Sequence, residues 1–101
     1  MPVVPEDDGR QITRLVRITG EVQGVWYRGW TLEQANLYGL TGWVRNHKDG
    51  SVEALFNGPA LIVMELINAC RTGPPAANVR FIESDVADDP GLNSFEQRPT
   101  A

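Results

Sequence analysis

Residues 20–28 have the residue types and spacing of an anion-binding loop, reading Gly-Glu-Val-Gln-Gly-Val-Trp-Tyr-Arg. They lie between an apolar-alternating segment that predicts a strand and a segment that predicts a helix. Their backbone N–H groups would therefore converge at a helix N-terminus, where anions bind well. Gly20 and Gly24 permit tight turns and close backbone approach, and the Arg28 guanidinium matches two oxygens of a phosphate or carboxylate. We call residues 20–28 the cradle and interpret it as a phosphate site, with a strand-to-helix turn that binds nothing as the alternative.

The cradle and a second motif together resemble the acylphosphatase family. The second motif, residues 42–46, reads Gly-Trp-Val-Arg-Asn, and Asp-Gly-Ser-Val-Glu follows at residues 49–53. The family pattern is a Gly-x-Val-Gln-Gly-Val-x-aromatic-Arg loop and a Gly-Trp-Val-x-Asn strand, and both occur here in the family's order at a similar separation. The resemblance extends from about Ile12 to the C-terminus, with Tyr27 where the family often has Phe. It implies hydrolysis of an acyl phosphate to a carboxylate and inorganic phosphate.

The resemblance also implies roles for individual residues. Arg28 and the loop formed by Gln23, Gly24, Val25, Trp26 and Tyr27 would hold the phosphoryl oxygens, and Asn46 would position the attacking water. Phosphoryl transfer needs mainly positioning and charge stabilisation, so neither a side-chain nucleophile nor a cofactor is expected. Two structural alternatives remain: Arg28 as a surface residue, although a helix N-terminus disfavours a cation, and Asn46 bonding its own backbone before a turn.

Other reactive side chains have weaker functional interpretations. His47 is a tempting general base, but strand alternation points it away from Asn46, and we expect a solvated turn residue. Cys70 lies on an apolar stripe without a histidine partner, which favours core packing. One His, one Cys and no paired carboxylate motif predict no dedicated metal site. The indoles of Trp26, Trp30 and Trp43 could stack on a base or an aromatic acyl group, or cover core edges; Trp26, inside the cradle, could border the acyl end of a substrate.

Composition restricts the class of protein. A chain of 101 residues with 42% hydrophobic and 22% charged residues is typical of one soluble globular domain. A net charge of −4 argues against a general nucleic-acid binder, whereas residues 10–58, which hold the proposed site, carry +2 and suit a small anion. There is neither an apolar run of membrane-spanning length nor a secretory signal at the start. One cysteine favours a reducing cytoplasm, and a monomer is the simplest state.

The apolar patterns predict a ferredoxin-like α+β sandwich in residues 12–101, after a flexible acidic tail at residues 1–11. The predicted order is βαββαβ, with an antiparallel sheet, both helices on one face and a short extra C-terminal strand. In the fourth strand, Val79 and Phe81 should share one face, and Gly29 is a poor residue for the first turn of a helix. The strands are expected at residues 12–19, 41–47, 51–57, 77–86 and 94–98, and the helices at 28–38 and 59–71. Helical spacing predicts one shared face on each helix and a glycine stop for the first: Thr31, Ala35 and Tyr38 with Gly39 as the stop, and Val63, Leu66, Ile67 and Cys70.

This arrangement brings Arg28, the cradle amides and Asn46 into one pocket. Two other functions are consistent with the same fold. A binding module could keep the anion cradle without turnover, like the acylphosphatase-like domains embedded in larger proteins. An RNA-binding domain of this fold would need aromatic residues paired on the two central strands and a basic sheet face, and neither is apparent.

Overall fold

The computed structural model describes residues 10–101, so most of the predicted acidic tail, residues 1–9, lies outside the described residues. The predicted order of elements is confirmed, and each boundary falls within two residues of its expected place. Neither helix in residues 10–101 has the length and apolar character needed to cross a membrane. The elements are β1 (Gln11–Glu21), α1 (Tyr27–Tyr38), β2 (Thr41–Asn46), β3 (Val52–Pro59), α2 (Ala60–Cys70), β4 (Asn78–Val86) and β5 (Phe95–Gln97).

The five strands form one sheet in the order β4-β1-β3-β2-β5. The first four are antiparallel to their neighbours, as predicted, but β5 pairs parallel with β2 and makes the sheet mixed. The cause is topological. Strand β4 ends beside Arg14, near the start of β1, and the chain crosses in residues 87–94 to pair Phe95 with Gly42, near the start of β2. Because β1 and β2 both start at this end, β5 must run in the direction of β2.

The core lies between the two helices and one face of the sheet. The predicted stripe of α2, Val63, Leu66, Ile67 and Cys70, is buried, as are Tyr27, Thr31 and Ala35 of α1. Helix α1 packs on β2, β3 and β5, and α2 packs on β1 and β3. Gly39 ends α1 in the left-handed conformation (φ 72°), as the sequence predicts.

Strand β4 differs from the prediction because it contains a β-bulge. Thr19 pairs with Phe81 and Gly20 with Val79, so Arg80 is the extra residue. Val79 therefore faces the core, whereas Phe81 points to the other face and is 57% exposed; the prediction that they share a face is wrong. Gly20 makes this bulge fit, because its φ is 133° and a Cβ there would overlap the Asn78 carbonyl oxygen. The close backbone approach at Gly20 is thus made to β4.

Candidate active site

A cavity of about 210 Å³ opens where the end of β1, the start of α1, the end of β2 and strand β5 meet. Arg28 and Asn46, which are distant in the sequence, both line it, as expected from the predicted topology. We call this cavity the cleft. Its lining residues are Val22, Gly24, Trp26, Tyr27, Arg28, Gly29, Asn46 and Gln97.

The cradle enters α1 through two residues in the left-handed conformation. Gly24 has φ 75°, and Trp26, at the N-cap of α1, has φ 69° and ψ 23°. Trp26 is the one non-glycine residue with positive φ between residues 10 and 101. Helix α1 has no side-chain N-cap and no acidic residue in its first turn. The first N–H groups of α1 therefore keep their partial positive charge at the cleft.

The Arg28 guanidinium is available for a ligand. It makes no ion pair or side-chain hydrogen bond with any other residue of the described chain. By contrast, Arg17, Arg45 and Arg98 each bind a carboxylate within 2.9 Å. None of the residues that line the cleft is acidic. A cation at the positive end of a helix dipole, without a carboxylate to neutralise it, makes the cleft attractive to an anion.

Asn46 is the last residue of β2, and its side-chain amide is also unpaired. Its backbone carbonyl accepts a hydrogen bond from Ala101 N–H at 3.0 Å, but its side chain makes no hydrogen bond with residues 10–101. The alternative in which Asn46 bonds its own backbone is therefore not what the structure has. Asn46 lies on the helix-covered face of the sheet with Val44, and its amide is both a donor and an acceptor, as holding a water molecule requires.

Gln23 takes a different place from the rest of the cradle. Its Nε2 donates to the carbonyl oxygens of His47 at 2.7 Å and Ser51 at 2.8 Å, and the side chain does not line the cleft. These two residues flank the β2–β3 turn directly after Asn46, so Gln23 holds the cradle beside the end of β2. Val25 also turns from the cleft and packs against the core. Of the expected binding residues, Gly24, Trp26, Tyr27 and Arg28 line the cleft.

Tyr27 anchors the start of α1 in the core. It is 1% exposed, and its hydroxyl donates to the Cys70 carbonyl oxygen at 2.5 Å, which joins the first residue of α1 to the last of α2. Burial raises the pKa of Tyr27 far above its ordinary value. Burial likewise raises the pKa of the Cys70 thiol to about 12, so this thiol stays protonated and serves the core as predicted.

Gly29 and Gln97 were not expected in the cleft, and Val22, although part of the cradle, was given no binding role. Gly29 is explained by Trp26, because a Cβ at position 29 would overlap the indole ring. The first turn of α1 needs glycine there despite its poor helix propensity. Gln97 reaches the cleft through the parallel pairing of β5, which places it opposite Val44. No local signal in the sequence gives that pairing.

His47, which was considered as a base, lies on the side of the sheet without helices. Its Nε2 is 3.3 Å from a carboxylate oxygen of the buried Glu53, which also binds Arg45 at 2.8 Å. His47 is thus half-buried in contact with Glu53, and not the solvated turn residue that we expected. On the same side, Trp43 is 7% exposed beneath the guanidiniums of Arg45 and Arg98. Within residues 10–101 there is no group of three His, Cys, Asp or Glu side chains that could hold a metal ion.

The fold and the cleft define a small α+β domain in which an arginine and a helix N-terminus line one cavity. A sequence profile of the acylphosphatase family matches residues 14–97. The chain belongs to the acylphosphatase family.

Individual relatives match over nearly their whole length. An acylphosphatase of Rhodospirillum rubrum is 53% identical over 88 residues, which cover 87% of this chain and 97% of that protein. The structure of an acylphosphatase from Coxiella burnetii is similar with a TM-score of 0.85 at 28% identity, covering 95% of this chain and all of that one. The crystal structure of the acylphosphatase from Bacillus subtilis is similar with a TM-score of 0.83 at 30% identity, covering 86% of this chain and 98% of that one.

Proposed function

We propose that the protein is an acylphosphatase, an acylphosphate phosphohydrolase that cleaves the carboxyl–phosphate bond of a small acyl phosphate. The observation that carries the proposal is the unpaired Arg28 guanidinium at the N-terminus of α1, in a cleft that has no acidic residue and is shared with Asn46. A dianionic phosphoryl group supplies the negative charge that this cleft lacks. The similarity to acylphosphatases over most of the chain supports the same reaction.

In the proposed reaction the phosphoryl group lies in the cradle. The guanidinium of Arg28 and the free N–H groups at the start of α1 hold its oxygens, which fixes the phosphorus and stabilises charge in the transition state. A water oxygen bonds to phosphorus while the bond between phosphorus and the acyl oxygen breaks. The acyl oxygen leaves as a carboxylate, and the proton of the water goes to the phosphate. A carboxylate is a good leaving group, so the reaction needs no cofactor and no side-chain nucleophile.

Asn46 has the role of orienting the attacking water. Its amide oxygen accepts a hydrogen bond from the water, so that a lone pair of the water points at phosphorus. Gln23 contributes through position, because it fixes the turn after Asn46 to the cradle. Inorganic phosphate, the product, binds the same groups and acts as a competitive ligand. We further propose that the protein works as a cytoplasmic monomer on a small molecule, without nucleic acid or membrane partners.

The test is hydrolysis of acetyl phosphate in excess EDTA, with phosphate binding measured by calorimetry. Arg28→Ala should abolish phosphate binding and activity. Asn46→Ala should lower kcat by about 100-fold while weakening phosphate binding much less, because the amide acts on the water. Arg71→Ala and Asn36→Ala, which change exposed residues outside the cleft, are the matched controls. An unimpaired Arg28→Ala enzyme would refute the site, and loss of wild-type activity in EDTA would indicate a metal.

The same experiment separates the two other functions. Phosphate binding without turnover in the wild type would identify a binding module that keeps the anion site. The RNA-binding alternative has no support in the structure, because the one aromatic residue of the central strands β1 and β3 is Phe56, which is fully buried.

A further inference from the structure

The three indoles of the chain have different surroundings. Trp30 packs on the core and makes an edge contact with Tyr27, with ring centroids 5.5 Å apart. Trp43 is buried beneath two guanidiniums. Trp26 is 57% exposed, lines the cleft and has no aromatic or cationic partner among the described residues. The fold therefore accounts for two indoles and leaves the third facing the space where a ligand would lie.

The orientation of the Trp26 indole is fixed by its surroundings, and we call its contact with Gly29 its seat. Its backbone is in the left-handed region, which is unfavourable for a residue with a bulky side chain and persists where the surroundings enforce it. The pyrrole edge of the indole lies against the backbone of Gly29, in the space that any side chain at position 29 would fill. The ring is therefore oriented before a ligand binds, and less ordering is needed on binding.

The remaining lining divides the cleft into two chemical parts. Arg28 and the first N–H groups of α1 form the anionic-ligand part. Trp26 supplies exposed apolar surface, and Asn46 and Gln97 are the polar side chains facing the same space. An acyl phosphate whose phosphoryl group is held by Arg28 has its acyl group in the same cavity as the indole.

We propose that the Trp26 indole, seated on Gly29, is the platform for the acyl group and makes the enzyme selective for acyl phosphates with a planar apolar acyl group. Aromatic acyl phosphates, represented by benzoyl phosphate, are then better substrates than acetyl or carbamoyl phosphate. This inference rests on the proposed acylphosphatase function. Stacking is made equally in the bound substrate and the transition state, so it lowers KM and leaves kcat nearly unchanged.

The first experiment compares kcat/KM for benzoyl and acetyl phosphate. Trp26→Asn removes the ring with a residue that tolerates positive φ, and Gly29→Ala keeps the ring but displaces it from its seat. In both variants the ratio of benzoyl to acetyl kcat/KM should fall about tenfold, mainly through a higher KM for benzoyl phosphate. Trp26→Tyr, which retains an aromatic face, should restore most of the ratio. If the ratio of benzoyl to acetyl kcat/KM stays within about twofold of wild type in both variants, the proposed role of Trp26 is refuted.

A second experiment depends on neither variant folding. Benzylphosphonate and methylphosphonate are compared as competitive inhibitors of acetyl phosphate hydrolysis by the wild type. Benzylphosphonate should bind about tenfold more tightly, and equal inhibition constants overturn the inference. A wild type that hydrolyses neither acyl phosphate refutes the proposed function instead. Hydrolysis of acetyl phosphate without a preference for benzoyl phosphate supports the proposed function and refutes the role of Trp26 in selectivity.

Discussion

The substitution Tyr27→Phe removes one oxygen atom from the contact that joins the two helices. The Tyr27 hydroxyl donates to the Cys70 carbonyl oxygen at 2.5 Å, and the ring is 1% exposed. Phenylalanine fills the same space, so the change leaves packing intact and removes the hydroxyl donor from a buried site. A buried acceptor without its partner costs about 1–3 kcal/mol, and we expect a loss of about 2 kcal/mol in the free energy of unfolding.

The assay is urea unfolding followed by circular dichroism, with thermal unfolding in parallel. For a domain of this size, a loss of about 2 kcal/mol lowers Tm by about 10 °C, with an unchanged m-value. Tyr38→Phe is the matched control. It removes the same atom at the other end of α1, where the half-buried Tyr38 hydroxyl has no hydrogen bond to the described residues. That variant should stay within about 0.5 kcal/mol of wild type. Equal stabilities of the two variants would refute the view that this contact anchors α1 to α2.

Three further perturbations test other features of the structure. Gln23→Ala removes both bonds that hold the cradle to the β2–β3 turn, and we expect kcat/KM for acetyl phosphate to fall about tenfold; unchanged kinetics would contradict this positioning role. Gly42→Ala should lower the free energy of unfolding in urea by more than about 2 kcal/mol, because φ is 139° and the new Cβ would overlap a β3 carbonyl, whereas Gly50→Ala, in open space at φ 95°, should cost about 1 kcal/mol. Raising the pH above about 9 should destabilise the protein, because the unfolded chain then loses protons from Cys70 and Tyr27 while their raised pKa values keep them protonated in the native state; a flat urea midpoint from pH 8 to 11 would contradict this.

The sequence was sufficient where the structure depends on local order. The cradle is continuous in the chain, so its glycines, its arginine and the helix that follows can be interpreted together. The stripes of α1 and α2 follow from helical periodicity alone, and Gly39 ends α1 because it tolerates positive φ. Asn46 was placed beside Arg28 by a topological argument, in which a right-handed crossover returns β2 parallel to β1.

The sequence was insufficient where geometry depends on pairing between distant strands. Phe81 was assigned to the wrong face because a bulge opposite Gly20 shifts the alternation of β4 by one residue, and a period of two cannot show that shift. Gln97 was missed because β5 has three residues and its partner strand is far away in the chain. Gln23 was expected to bind phosphate with the rest of the cradle, but its side chain bonds to the turn after β2.

The residues that line the cleft are far apart in the chain: Val22 directly follows β1, and Gln97 is in the last strand, β5. Completion of the cleft therefore has a consequence for folding kinetics. A partly folded chain that has α1 in place but lacks β5 already presents Arg28, yet one wall of the cleft is absent. If phosphate binds the cleft as proposed, it binds the finished native state in preference to earlier states, and it should slow unfolding while leaving the refolding rate nearly unchanged. The ligand would thus stabilise the completed fold without accelerating its formation.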